Sequence, residues 1–133
     1  MKYLLDTNIC IYLINGEEKI KNKIREIGIF SISISNATLA ELYFGAYNSK
    51  KVNENLERID KFKKNLTVFS DNDASAKAFG QFKSKLKREG KIIEDFDILI
   101  ASVAFANKCI LVTNNPNHFE RLDEIEVENW FKL

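Results

Sequence analysis

The apolar residues of this chain fall into short blocks whose spacing alternates between that of strands and that of helices. Lys2 to Leu5 is a brief apolar run that stops at Asp6, as a buried strand does. From Thr7 to Asn15, the residues Ile9, Ile11, Tyr12, Leu13 and Ile14 predict a helix that Gly16 closes. A charged amphipathic helix follows from about Glu17 to Ile27, with Ile20, Ile24 and Ile27 on one face. Phe30 to Ile34 alternates as Phe-Ser-Ile-Ser-Ile, the period of a strand. Asn36 is placed to cap a helix carrying Leu39, Leu42, Tyr43 and Ala46, and a second helix, Lys51 to Lys63, carries Val52, Leu56, Ile59 and Phe62. Leu66 to Phe69 is rich in strand-forming residues. Asp71 or Asp73 then opens a long helix to about Glu89, stopped by Gly90. Asp95 can cap a strongly apolar helix to Asn107, Ile110 to Thr113 is another strand, and Asn114-Asn115-Pro116 is a turn. Ile125, Val127 and Trp130 predict a last short strand.

Strands alternating with helices predict an α/β fold with a mainly parallel sheet, covered by helices on both faces. Residues 1–133 read as a single domain, since one proline, five glycines and no repeat leave nothing to divide the chain. In such sheets ligands bind beyond the carboxyl ends of the strands, and Asp6 and Thr113 both fall at predicted strand ends.

Composition narrows the setting. The first apolar run is broken by Asp6 before it could form the core of a signal peptide, and no stretch has the length of a membrane span. A cytoplasmic protein with no membrane association is expected. Cys10 and Cys109 lie in apolar surroundings with no Cys or His at ligand spacing, so both read as buried free thiols. A net charge of +1 favours no class of partner.

The distribution of charge is more telling than its total. Tyr3 to Gly16, Ile27 to Ser49 and Phe96 to Asn107 are almost free of charged residues. At ordinary density they should hold about fourteen. They hold three, Asp6, Glu41 and Asp97, one in each segment. A carboxylate in an apolar setting costs several kcal/mol unless a cation or donors compensate it, and no Lys or Arg lies nearby in sequence. Convergence at one end of the sheet would bring mutual repulsion, which a divalent cation relieves. Carboxylates with water suit a hard ion, Mg²⁺ or Mn²⁺, better than zinc. Asp6 and Asp97 could instead be plain helix caps, but Glu41 sits mid-helix with no capping role open to it.

Thr7 and Asn8 can support Asp6 or a metal-bound water, and equally can be ordinary first-turn residues. Thr113, Asn114 and Asn115 can reach metal waters or phosphate, or simply form the turn before Pro116. Ser102 is off the face of Asp97, and His118, the only histidine, reads as a surface residue. Lys77, Lys83, Lys85, Lys87, Arg88 and Lys91 form a basic run against one acid, Glu89. Such a run is ordinarily a solvated helix face, but beside an acidic metal centre it can track a phosphate backbone. No glycine-rich phosphate loop is present, which removes nucleotide-cofactor chemistry.

Four stretches, Leu4-Leu5-Asp6-Thr7-Asn8, Ala40-Glu41-Leu42, Phe96-Asp97-Ile98-Leu99-Ile100-Ala101 and Val112-Thr113-Asn114-Asn115, resemble the PIN-domain nucleases, in particular the VapC-type toxins of type II toxin–antitoxin pairs. The ending Thr113-Asn114-Asn115, His118-Phe119-Glu120-Arg121 and Glu128-Asn129-Trp130 resembles the branch that cuts transfer RNA. The resemblance implies a PIN-like sheet of order 3-2-1-4-5, an Mg²⁺- or Mn²⁺-dependent endoribonuclease and a homodimer. It implies a VapB-type antitoxin as partner, with operator DNA reached only through that antitoxin. Asp6, Glu41 and Asp97 fall on the family's core acids as catalytic residues and metal ligands. The fourth position, often Asp, is here Asn115, which favours one firmly held metal over two. Asp95 is an additional acid that could assist from behind the ligands, as Thr7, Asn8, Thr113 and Asn115 could from the cleft wall. Two rival readings are an aspartate-based phosphotransferase or phosphatase, which ordinarily wants an acid where Asn8 stands, and a catalytically idle RNA-binding module.

Overall fold

The computed structural model describes residues 1–131. Its strands are β1 (Tyr3–Leu5), β2 (Ile32–Ser35), β3 (Thr67–Phe69), β4 (Ile110–Val112) and β5 (Val127–Glu128). They form one sheet in the order β3-β2-β1-β4-β5, and every neighbouring pair runs parallel. Parallel neighbours require crossovers, and helices supply most of them. Helices α1 (Thr7–Ile14) and α2 (Glu18–Ile27) link β1 to β2, and α3 (Asn36–Tyr47) and α4 (Val52–Lys63) link β2 to β3. Helices α5 (Asp73–Arg88) and α6 (Asp95–Ala106) link β3 to β4, and a 3₁₀ turn, Pro116–Phe119, lies on the way to β5. The sheet order and the helices on both faces match the sequence expectation.

Successive strand residues point to opposite faces, and the core divides accordingly. Leu5, Ile32, Ile34 and Val112 pack with Ile9, Ile20, Leu42 and Ile59 from α1 to α4. Leu4 and Leu111 face the other way and pack with Phe82, Leu86, Ile98 and Ala101 from α5 and α6. Each fully buried Leu, Ile or Phe contributes about 1.5–3 kcal/mol. That double burial explains the apolar runs of β1 and β4.

Strand β2 departs from its alternating sequence. Phe30 is not in the strand but in a 3₁₀ turn, Ile29–Ser31, where it is 97% exposed. The serines do not face water either; Ser33 and Ser35 are as buried as Ile32 and Ile34. Their hydroxyls are satisfied inside, Ser33 Oγ donating to the Tyr3 carbonyl at 2.7 Å and Ser35 Oγ accepting from the Thr38 N–H at 3.1 Å. Ser35, rather than Asn36, therefore caps α3. Likewise Asn72, not Asp71 or Asp73, caps α5, in a reciprocal pair with Ser75. Glu94, not Asp95, stands before α6 and makes no side-chain cap. In each case the extended backbone required of a cap falls one residue from where the sequence pattern placed it. Gly16 and Gly90 do end their helices, with φ of +87° and +69° that other residues adopt only with strain.

Candidate active site

The carboxyl end of β1 runs directly into α1, and Asp6 is the junction. Its Oδ1 accepts from the Ile9 N–H at 3.0 Å, so it caps the helix as well as facing the cleft. Only 8% of Asp6 is exposed. Burial pushes its carboxyl above the usual carboxylate range; hydrogen bonds from Thr113 and Ile9 draw it back in part, and the charges of Asp97 and Glu41 add to the rise. Thr113 directly follows β4, the neighbouring strand, and is wholly buried. Its Oγ1 accepts from the Asn115 N–H at 3.0 Å, which leaves its own proton for Asp6.

Glu41 stands on α3, half-buried, and its Oε1 lies 2.6 Å from Thr7 Oγ1. Thr7 Oγ1 is also 3.2 Å from Thr38 Oγ1, and Ser35 Oγ is 3.3 Å from Thr38 Oγ1. A hydroxyl has one proton. The short contact assigns the Thr7 proton to Glu41, so Thr38 donates to Thr7 and Ser35 to Thr38. This chain of hydroxyls ties Glu41 to the ends of β1 and β2, and its members beyond Thr7 left no mark in the sequence that distinguished them from cap residues.

Asp97 lies in the first turn of α6, half-buried. Burial raises its pKa, His118 lowers it, and the charge of Glu94 raises it further. His118 Nδ1 is 3.4 Å from Asp97 Oδ2, which corrects the reading of this histidine as a mere surface residue. Phe119 is buried in the core and fixes the 3₁₀ turn beyond β4, which holds His118 over the acids. A histidine next to an apolar anchor just after a strand-end turn was the available signal.

Asp6, Thr7, Asn8, Glu41 and Asp97 line one cleft of about 610 Å³, with Lys91, Glu94 and His118 on the same walls. Lys91 belongs to the basic run singled out in the sequence, whereas Glu94 was missed because it sits in the α5–α6 connection, where the sequence shows only a charged loop. Two expected members lie elsewhere. Asp95 turns away to Lys83 of α5, its Oδ1 3.0 Å from the Nζ, so it does not stand behind the acids. The Asn115 side chain is exposed and is not part of the cleft wall; its backbone N–H holds Thr113 instead. Ser102 is fully buried and donates to the Ile98 carbonyl at 2.6 Å. Cys10 and Cys109 are free, buried thiols, and burial raises both pKa values.

The acid set fits a hard divalent cation. Its donors are all carboxylate oxygens, two of them with pKa values raised in a way that bound positive charge would reverse. Among the described residues no three Asp, Glu, His or Cys side chains are already gathered closely enough to hold a metal ion by themselves.

The PIN domain profile matches residues 3–125 of the chain. Ribonuclease VapC2 of Rickettsia felis is 39% identical over 99% of this chain and 100% of its own length. The tRNA(fMet)-specific endonuclease VapC of Shigella flexneri is 35% identical over 98% of each. Among solved structures, VapBC2 from Rickettsia felis bound to a DNA fragment from its promoter superposes with a TM-score of 0.91 at 36% identity, covering 98% of this chain and 99% of that one. DNA-bound VapBC from Salmonella typhimurium gives 0.92 at 34% identity, covering 98% of each chain. With this sheet order and three acids brought to one cleft at the strand ends, the chain belongs to the VapC ribonucleases of the PIN-domain family.

Proposed function

We propose that this protein is the toxin of a toxin–antitoxin pair and a metal-dependent endoribonuclease that cuts transfer RNA. The observation that carries the reading is the convergence of Asp6, Glu41 and Asp97, three acids remote in sequence, on one cleft. Asp6 and Asp97 would hold one Mg²⁺ or Mn²⁺, with Glu41 joining directly or through water. When bound, the ion supplies an acidified water and positive charge for the scissile phosphate. The chain's own residues keep the acids in place. The Ile9 N–H and Thr113 aim Asp6, Thr7 aims Glu41, and His118 braces Asp97. Attack of water on phosphorus breaks the P–O3′ bond and leaves a 5′-phosphate and a 3′-hydroxyl. The two histidines that a metal-free route through the 2′-hydroxyl ordinarily needs are not in this chain.

Transfer RNA is favoured by the Shigella flexneri relative, whose name specifies tRNA(fMet). The similar VapBC structures, one bound to a promoter fragment and the other to DNA, support a VapB-type antitoxin as partner, with DNA contacted through that partner; a cytoplasmic homodimer is what the family resemblance implies. Among the described residues no helix is long and apolar enough to cross a membrane. End-labelled transfer RNA tests the reading directly. One dominant cut with a 5′-phosphate is expected, and a 2′,3′-cyclic phosphate would contradict it.

A further inference from the structure

A second pocket of about 290 Å³ shares a wall with the acid cleft, because Lys91, Ile92 and Ile93 line both. Its floor is buried and apolar. Leu86 of α5 and Ile98 of α6 are each 2% exposed, and Ile93 packs against the same core. Its rim is cationic. Lys83 is engaged by Asp95 at 3.0 Å and Lys91 lies 3.5 Å from Glu120, while Lys87 makes no ion pair among the described residues. Ile92 stands between these lysines with 87% of its surface in water.

We infer that this pocket receives one nucleobase of the RNA strand next to the scissile phosphate, with Lys87 and Lys91 on the flanking phosphates. The inference rests on the ribonuclease reading. An apolar floor with lysines at its rim, Lys87 without an ion pair among the described residues and Lys91 held only loosely at 3.5 Å, matches a nucleotide in both parts: the base face needs apolar contact, and the phosphates on either side need cations. Burial of the base against Ile92, Ile93 and Ile98 gives the exposed isoleucine a partner. The volume lies at the small end for a ligand pocket, suited to a single base. Asp95, the acceptor among the lining side chains, is engaged by Lys83, so the subsite positions a nucleotide without reading its identity.

The test uses transfer RNA carrying an abasic residue at single positions on each side of the cut, with wild type, Ile92→Ser and Lys87→Gln. Both substituted side chains lie outside the core. One abasic position should lower wild-type kcat/KM about fivefold, below the stacking of a base on an aromatic ring because the wall is aliphatic. Ile92→Ser should lower kcat/KM on intact RNA by a similar factor, seen in KM, and lose sensitivity to that one position. Lys87→Gln should weaken binding to all the RNAs and reduce the slope of log affinity against log salt by about 1. Wild-type behaviour of both variants on every substrate would overturn the subsite while leaving the ribonuclease reading intact. Unchanged RNA kinetics with weakened inhibition by the antitoxin would overturn it too, and assign the pocket to the protein partner. Should wild type show no metal-dependent cutting, the ribonuclease reading fails separately. Fluorescence anisotropy of the same RNAs then decides: an abasic penalty lost in Ile92→Ser supports the subsite, and equal binding by all variants overturns it.

Discussion

Asp6 ends β1, caps α1 and faces two other carboxylates, and those duties pull its stability in opposite directions. As a cap it stabilises; as a buried anion among acids it destabilises. Its folded pKa is raised above the unfolded value of about 3.8, as is that of Asp97, so the folded protein holds those protons more tightly than the unfolded chain. Their contribution therefore favours folding most below pH 3.8 and is lost as pH rises through the raised values. Asn keeps an oxygen for the Ile9 N–H without the charge. Asp6→Asn should then be more stable than wild type at neutral pH without metal, with the difference shrinking in acid; urea unfolding across pH 3 to 7 measures this, and a stability loss at neutral pH would contradict it. Thr7 gives a second prediction, since its hydroxyl orients Glu41. Thr7→Val should cost activity about tenfold with Thr7→Ser near wild type, measured as kcat/KM on RNA. The three acids were legible because each was alone in an uncharged segment. His118 was not, because its one signal, an apolar neighbour just after a strand-end turn, does not reveal that the turn folds it back over Asp97.

Helix starts are the elements that sequence placed least well. Ser35 and Asn36 are both good cap residues, and only the backbone chooses between them. Ser35→Ala should cost about 1 kcal/mol by urea unfolding, and Asn36→Ala a few tenths at most. Ser35→Ala should also lower activity slightly, because Ser35 begins the hydroxyl chain to Glu41. The strands, by contrast, were read nearly residue for residue where both faces are buried: Leu4-Leu5 and Leu111-Val112 have no polar alternative. In β2 the alternation of Ile and Ser signalled a strand, but not that its serines are buried with their hydroxyls bonded. Sequence shows that a serine is small and polar, not whether a partner waits inside. The α5–α6 connection shows the same limit, since Asp95 chose Lys83 through helix packing that no spacing rule encodes.

At the scale of the molecule, the sheet carries β1 and β4 side by side, and their carboxyl ends bring Asp6 and Thr113 together while α3 and α6 supply Glu41 and Asp97. Fold and site are thus one construction, held by two cores on either face. Phe82 lies 1% exposed in the core of α5 and α6, so Phe82→Ala should cost about 3–5 kcal/mol and loosen the helix that presents Asp97. Binding of Mg²⁺ to the folded state alone should raise the melting temperature of wild type, by about 2.7 kcal/mol of stability at a hundredfold excess over Kd, and leave Asp6→Asn far less affected. The most direct measurement is cleavage of purified transfer RNA by wild type and Asp6→Asn, each with Mg²⁺ and with EDTA. Wild type should cut only with Mg²⁺, and Asp6→Asn should be at least about a hundredfold slower, the upper loss already seen when groups merely supporting a metal ligand are removed. Undiminished cutting by Asp6→Asn, or by wild type in EDTA, would contradict a metal site built on these three acids.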